Sequence, residues 1–331
     1  MVAINWEGLR FAGSEIKLPM GSFIQHPMFI KKTTVRVGML SILSLLTWNA
    51  SVSLAGSDDT ADKQVTAAVT PPIAVSPISG FFNVTVASDY LSRGITVINH
   101  GVVIQPDLGL SLSLYQGDGF INNFAVTLET WNNVSTDTER ARPGGSIKWW
   151  EEFDAIPGFS LKFAQRFTLY ATYDYYASPA GRYNYGNHLN NYIVFDDTGL
   201  LVKNFALLPR FTFLYELPGS VPTGIKGNGW YFSPSLEPSY TFFSNTAHAF
   251  TFSVPVSVGL GHRFYGGTNY GYFNVGPKLA APLSFLPASL GKWNASAGYT
   301  YWNLGRTTAA LPLAEGRHYR NVVYTSVGLT F

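Results

Sequence analysis

Between residue 81 and the C-terminus, apolar and polar side chains alternate with a period of two, the spacing of a strand whose two faces meet different surroundings. The pattern is clearest at Leu108, Leu110, Leu112 and Leu114, at Phe163, Phe167, Leu169, Ala171, Tyr173 and Tyr175, and at Phe250, Phe252, Val254, Val256, Val258 and Leu260. At the end of the chain, Val323, Thr325, Val327, Leu329 and Phe331 share one parity, and Val322, Tyr324, Ser326, Gly328 and Thr330 share the other. This alternation predicts twelve strands, over 81–92, 104–115, 121–132, 146–156, 160–175, 188–196, 200–216, 228–241, 248–261, 270–282, 291–303 and 320–331. Most exceed the roughly 9–11 residues that a tilted strand needs to cross a bilayer.

The connections carry a second pattern. Tight turns are expected at 116–119, 157–158 and 196–199, and longer links at 133–145, 178–187, 218–227 and 304–319. A bacterial barrel has short periplasmic turns and longer outer loops, so short links alternating with long ones predict an even strand count. The expected fold is all-β: a transmembrane antiparallel up-and-down β-barrel of about 12 strands, with the last strand closing against the first. Pro234, Pro238, Pro255 and Pro277 fall inside predicted strands, where each removes a ladder donor and marks a bulge or a misplaced boundary.

Composition narrows the class further. Aromatic residues make up 15% of the chain and charged residues only 13%, against a soluble average of about 25%, so much of the surface is expected to face something other than water. No stretch after residue 56 approaches the roughly 18 consecutive apolar residues of a spanning helix, which leaves strands as the membrane-embedded elements. Lys31, Lys32 and Arg36, the apolar run 37–46 and Ser53-Leu54-Ala55 read as a secretory signal over 28–55. It begins at an internal Met28, so 1–27 is expected to be an over-extended start, 56–78 a disordered periplasmic leader, and 79–331 the barrel. With the five bases and two acids of 1–55 removed, 17 basic and 18 acidic residues remain, a balance that recommends no nucleic-acid partner. The absence of cysteine excludes disulfides, thiolate metal sites and a cysteine nucleophile.

If the apolar parity faces lipid, the other parity lines the lumen. It carries Asn83, Thr85, Asp89 and Arg93 in the first strand, Asp107 in the second, and Glu129 and Trp131 in the third. Lys148, Glu152 and Asp154 follow in the fourth, Lys162, Arg166 and Asp174 in the fifth, then Arg210, Glu216, Glu237 and Lys278. Glu151 and Lys203 break the rule, which a lipid-face cost of about 2–4 kcal/mol for a mid-membrane Lys or Arg otherwise enforces. These charges are either an ion-pair network that fills the barrel or a polar path for a solute. Ser233, Ser235, Thr251, Ser253, Ser257, Tyr324, Ser326, Gly328 and Thr330 leave more room on the opposite side, where a water-filled path is expected. His262 and His318 lack a sequence-marked nucleophile, so neither catalysis, a cofactor nor a metal is expected.

The stretch Ala87-Ser88-Asp89-Tyr90-Leu91-Ser92-Arg93-Gly94 resembles the opening S-D-Y-x-x-R-G strand of the Gcw_chp family of proteobacterial outer-membrane proteins, and Glu152 and Asp154 resemble its mid-chain Glu-x-Asp pair. The resemblance implies a secreted porin-like barrel, a location more than an activity. Tyr324, Ser326, Leu329 and Phe331 resemble the C-terminal signal read by the barrel assembly machinery, with Ser326 where Gly is usual. The expected function is a porin-like outer-membrane channel for small polar solutes. The alternatives are a closed barrel with a structural or surface-interaction role and, behind it, an outer-membrane lipid hydrolase. Outer-membrane lipid, periplasmic chaperones, the assembly machinery and a small polar solute are the expected partners.

Overall fold

The computed structural model describes residues 77–138, 147–183, 185–218, 229–246 and 248–331. The start 1–27, the signal 28–55 and all but the last two residues of the leader 56–78 lie outside the described residues. The described chain is nearly all strand: β1 (Ile78–Ala87), β2 (Tyr90–Ser92), β3 (Ile95–Ile98), β4 (Val103–Gln116), β5 (Ile121–Ser135), β6 (Trp150–Phe163), β7 (Phe167–Ala177) and β8 (Tyr185–Phe195) come first. Then come β9 (Phe205–Ala206), β10 (Arg210–Glu216), β11 (Trp230–Leu236), β12 (Ser239–Phe242), β13 (Phe250–Ser253), β14 (Val256–Leu260), β15 (Tyr270–Val275), β16 (Lys278–Pro282), β17 (Lys292–Leu304) and β18 (Tyr319–Thr330).

These strands form a closed antiparallel barrel of twelve staves, as the alternation predicts. Four staves are each made of two collinear pieces, β9 with β10, β11 with β12, β13 with β14, and β15 with β16. Closure is between β1 and β18, with Phe81 opposite Thr330 and Ala87 opposite Tyr324. The last residue extends the seam, because Gly80 N donates to Phe331 O at 2.9 Å and Phe331 N donates back to Gly80 O at 3.0 Å. Leu108, Leu110, Leu112, Val126, Leu128, Phe211, Phe213 and Val327 stand exposed on the outer face, where only lipid can cover them favourably.

The proline positions explain the divided staves. Pro209, Pro238, Pro255 and Pro277 lie at the four breaks, on four consecutive staves. Each proline carbonyl still accepts a neighbour's amide: Phe195 N at 2.9 Å, Val254 N at 2.9 Å, Gly276 N at 3.2 Å and Tyr299 N at 3.0 Å respectively. The proline nitrogen carries no proton to return the second bond of the pair, so the regular ladder stops there. Pro234 stays within β11, where the ladder to β14 steps from Phe232 directly to Ser235.

Several boundaries differ from the sequence reading. Pro157-Gly158 is not a turn: Pro157 lies opposite Leu128 and Gly158 opposite Thr127 within β6, and the turn falls at 164–166. The ladder to β7 skips from Ala155 to Gly158, so the missing proline donor is accommodated without ending the strand. The first strand ends at Ala87, and the residues assigned to its far half instead form a separate β2–β3 hairpin. Lys148 lies exposed in the link before β6, Arg166 in the 164–166 turn, and Lys203 exposed in the 196–204 link. Glu151 is on the outward parity but buried, because Arg182 from the 178–184 link reaches over it and donates from Nη2 at 2.7 Å.

One end of the barrel has the links 117–120, 164–166, 196–204, 243–249 and 283–291; the other has 88–102, 136–149, 178–184, 217–229, 261–269 and 305–318. The second set is longer, and its described residues in 88–102, 261–269 and 305–318 fold inward. Leu214, Tyr231, Phe264, Tyr265, Tyr272, Leu304, Ala309 and Ala314 make one buried cluster there. Ala87, Tyr90, Ile98, Val103 and Val322 make another.

Candidate functional site: a hairpin across the bore

The β2–β3 hairpin turns at Arg93 and Gly94, both at positive φ, 51° and 77°. Gly94 is required there: a Cβ would lie 2.7 Å from Tyr272 Cδ1, and the left-handed backbone disfavours any side chain. Ile98, wholly buried, and Tyr90 hold the hairpin against the wall by apolar burial. Tyr265 fixes its tip, donating from its hydroxyl to Arg93 O at 2.9 Å. Tyr90 donates to Glu152 Oε1 at 3.2 Å.

Arg93 therefore stands inside the bore rather than on a wall strand. Its Nη2 is 3.9 Å from Asp174 Oδ2, too long for a hydrogen bond. Asp174 is held by Thr172 Oγ1 at 2.6 Å and Asn190 Nδ2 at 3.0 Å. Ser92 Oγ, at 3.4 Å, is a weak acceptor for Arg93 Nη1. The guanidinium thus retains donor capacity towards the space around it.

The remaining charges of the sequence reading divide between levels. Glu152 and Asp154 face the hairpin from β6, and Asp89, which receives a hydrogen bond from Ser88 Oγ at 2.8 Å, sits between β1 and β2 rather than within a wall strand. Asp107 and Glu129 face the bore from β4 and β5, lining separate cavities of about 300 and 510 Å³. Arg210 lies 3.8 Å over the ring of Tyr192, and Lys278 pairs with Glu237 at 3.1 Å. Lys162 is exposed at the short-link rim. Arg166 leaves the bore altogether and donates to the carbonyls of Asp196 and Thr198 at 2.8 and 3.3 Å, tying two neighbouring turns together. Lys148 joins no such arrangement among the described residues. In the closing strand, Tyr324 and Ser326 face the bore, and Leu329 and Phe331 complete the seam.

Two cavities meet at Arg93. The outer one, about 260 Å³, is lined by Ser92, Thr96, Glu152, Tyr176, His188 and Leu313 among others. The inner one, about 540 Å³, is lined by Asn190, Arg210, Ser233, Ser235, Ser257 and Asn274, and Arg93 borders both. The sequence reading singled out Ser233, Ser235 and Ser257; it did not single out Tyr265, Tyr272 or His188. His188 is buried 3.1 Å from the Tyr176 hydroxyl and 4.0 Å from Glu216, on the bore parity of β8, so that parity alone was enough to find it. His262 bonds Asn269 and His318 approaches the Leu304 carbonyl.

No protein-family model matches the chain, and no curated protein matches it. Among solved structures, the NanC porin is 11% identical, with 76% of this chain and 100% of that one covered and a TM-score of 0.41. An outer membrane channel from Pseudomonas putida F1 is 10% identical, with coverage of 81% and 100% and a TM-score of 0.41. Outer membrane phospholipase A from Escherichia coli is 13% identical, with coverage of 76% and 92% and a TM-score of 0.40.

Proposed function

We propose that this chain is a channel of the bacterial outer membrane that passes small polar solutes through a bore narrowed by its own hairpin. The observation that carries this is a shared side chain: Arg93 lines both the outer and the inner cavity, with its guanidinium at the border between them. The apolar outer face fits lipid, and the short-link end then faces the periplasm. Asp89, Arg93, Glu129 and Lys162, whose packing across the bore would favour a closed barrel, border different spaces: Asp89 a recess beside the hairpin, Arg93 the outer and inner cavities, Glu129 a separate cavity, and Lys162 the exposed short-link rim. The stretch resembling the Gcw_chp motif is the hairpin itself. Phe331, paired with Gly80, is where we expect the assembly machinery to act.

A closed barrel is favoured by a different observation, the anchoring of the hairpin tip through Tyr265 and the complete burial of Ile98. Conductance in a planar bilayer separates the two. Heat-modifiable, folded protein is expected to give unitary steps; its failure to do so would remove the channel reading and leave the closed one.

A further inference from the structure

A third cavity, about 180 Å³, lies between the hairpin and the wall formed by β1, β17 and β18. Four aromatic side chains line it, Tyr90, Trp131, Trp302 and Tyr324, together with the carboxylate-bearing Asp89. Tyr90 and Trp131 pack against each other with ring centroids 5.1 Å apart at 43°, and both border the cavity. The cavity shares Thr85, Gln105 and Trp131 with the adjoining space of about 300 Å³ that Asp107 lines.

Two carboxylates flank Trp131, and the hairpin's Arg93 lies near enough to act on that of Asp154. In the ladder its direct neighbours are Asp107 on β4 and Asp154 on β6. Each has a buried carboxylate oxygen, Oδ1, without a hydrogen-bond partner. Lys278 borders the adjoining space, but its ammonium is engaged by Glu237 at 3.1 Å. Aromatic faces attract cations through their quadrupole, and an unpaired buried carboxylate favours one as a counter-ion.

We infer that this aromatic recess and the acidic space adjoining it together bind a small organic ammonium ion, with Trp131, which lines both, against the cationic head, Tyr90 beside it in the recess and Asp107 in the adjoining space as its counter-charge. The inference names a solute class for the proposed channel and rests on that reading for its transport role, while binding itself needs no current.

The test uses the full chain, folded in detergent micelles, titrated with choline chloride by calorimetry and by tryptophan fluorescence. Its uncharged isostere, 3,3-dimethylbutan-1-ol, is the control. Saturable choline binding that the isostere does not reproduce is expected, weakened about tenfold or more in Asp107→Asn and in Trp131→Leu. Trp131→Phe keeps an aromatic face and is expected to retain part of the affinity, which guards against misreading a folding defect in the leucine variant. Heat-modifiability checks that each variant is folded. Equal binding of choline and isostere, no saturation with choline, or unchanged affinity in folded Asp107→Asn overturns the inference. Choline binding without conductance would leave this site standing and remove the channel; conductance without choline binding would do the reverse.

Discussion

Replacing Gly94 with alanine loads the hairpin tip without touching the wall ladder. Gly94 has φ of 77°, a region that costs an L-residue about 1–2 kcal/mol. The new Cβ would lie 2.7 Å from Cδ1 and 2.8 Å from Cβ of Tyr272. Tyr272 cannot retreat freely, being buried, bonded to the Tyr231 hydroxyl at 2.8 Å and packed 4.9 Å from the ring of Trp302. Overpacking of this kind costs about 1–3 kcal/mol. The sum, about 2–5 kcal/mol, acts on the docked hairpin, and its lower end raises the undocked population about 30-fold. The natural absence of cysteine allows a single reporter thiol at Thr96→Cys. Thr96 is 2% exposed and its hydroxyl has no hydrogen-bond partner, so the thiol replaces it without breaking a bond. When redocking outruns modification, the maleimide labelling rate follows the undocked population. Labelling is expected to rise by about 30-fold or more in Gly94→Ala. Gly316→Ala, also at positive φ but with open space around its Cβ, is expected to leave the rate unchanged. Unchanged labelling in Gly94→Ala, with the barrel still heat-modifiable, refutes docking of the tip against Tyr272.

Tyr265→Phe removes only the hydroxyl that holds the Arg93 carbonyl; a loss of about 1–3 kcal/mol should raise labelling of the same thiol about fivefold or more. Leu108→Arg puts a cation on the outer face and should destabilise the barrel by about 2–4 kcal/mol in reversible lipid refolding, whereas Ser111→Arg on the bore parity of the same strand should cost clearly less. Deletion of Phe331 removes both backbone bonds to Gly80 and should lower the heat-modifiable fraction in the outer membrane while leaving export intact; normal assembly of the truncated chain would contradict the closing role given to this residue.

Strand number and inside–outside parity were legible because both follow from a period of two, which a lipid face enforces at every outward position. Leu108 and Leu110 outward with Asp107 inward needed nothing beyond the alternation. Proline misled at one place and informed at another. At Pro157 a turn was expected, yet a strand absorbs a proline when the ladder on one side skips, as it does between Ala155 and Gly158. At Pro238, Pro255 and Pro277 the same chemistry divides the staves, and the sequence pointed to the right residues. The hairpin was missed because Tyr90 to Ser92 continues the parity of the first predicted strand, 81–92, and periodicity does not tell a wall strand from a strand folded inside the wall. Arg93-Gly94 between Ser92 and Ile95 was the available signal, a turn pair inside an apolar run. The constriction also depends on Tyr265, which is 172 residues from Arg93, a separation no local pattern spans.

The bore changes character along single strands, and this locates its resistance. On β14, Ser257 borders the inner cavity, but two residues on Gly259 leaves room for Tyr272, whose Cε1 would lie 2.2 Å from a Cβ there. On β15, Asn274 borders the cavity while Gly271 accommodates Tyr265, whose Cζ would lie 1.9 Å from a Cβ. The long-link half is thus built of tyrosine rings laid across glycines, a close packing with little slack. The short-link half presents hydroxyls and amides around open volume. The two halves join at Arg93, which lines the cavities on both sides; if the barrel is the channel proposed above, substitutions there are expected to govern passage. Enlarging Ser233 or Ser235 should change it much less, because the inner cavity beside them is about 540 Å³ against about 260 Å³ outside the hairpin. Widening the narrow section requires the hairpin to leave Tyr272 and Tyr265, and the energy that holds it there also sets how often the wider bore exists.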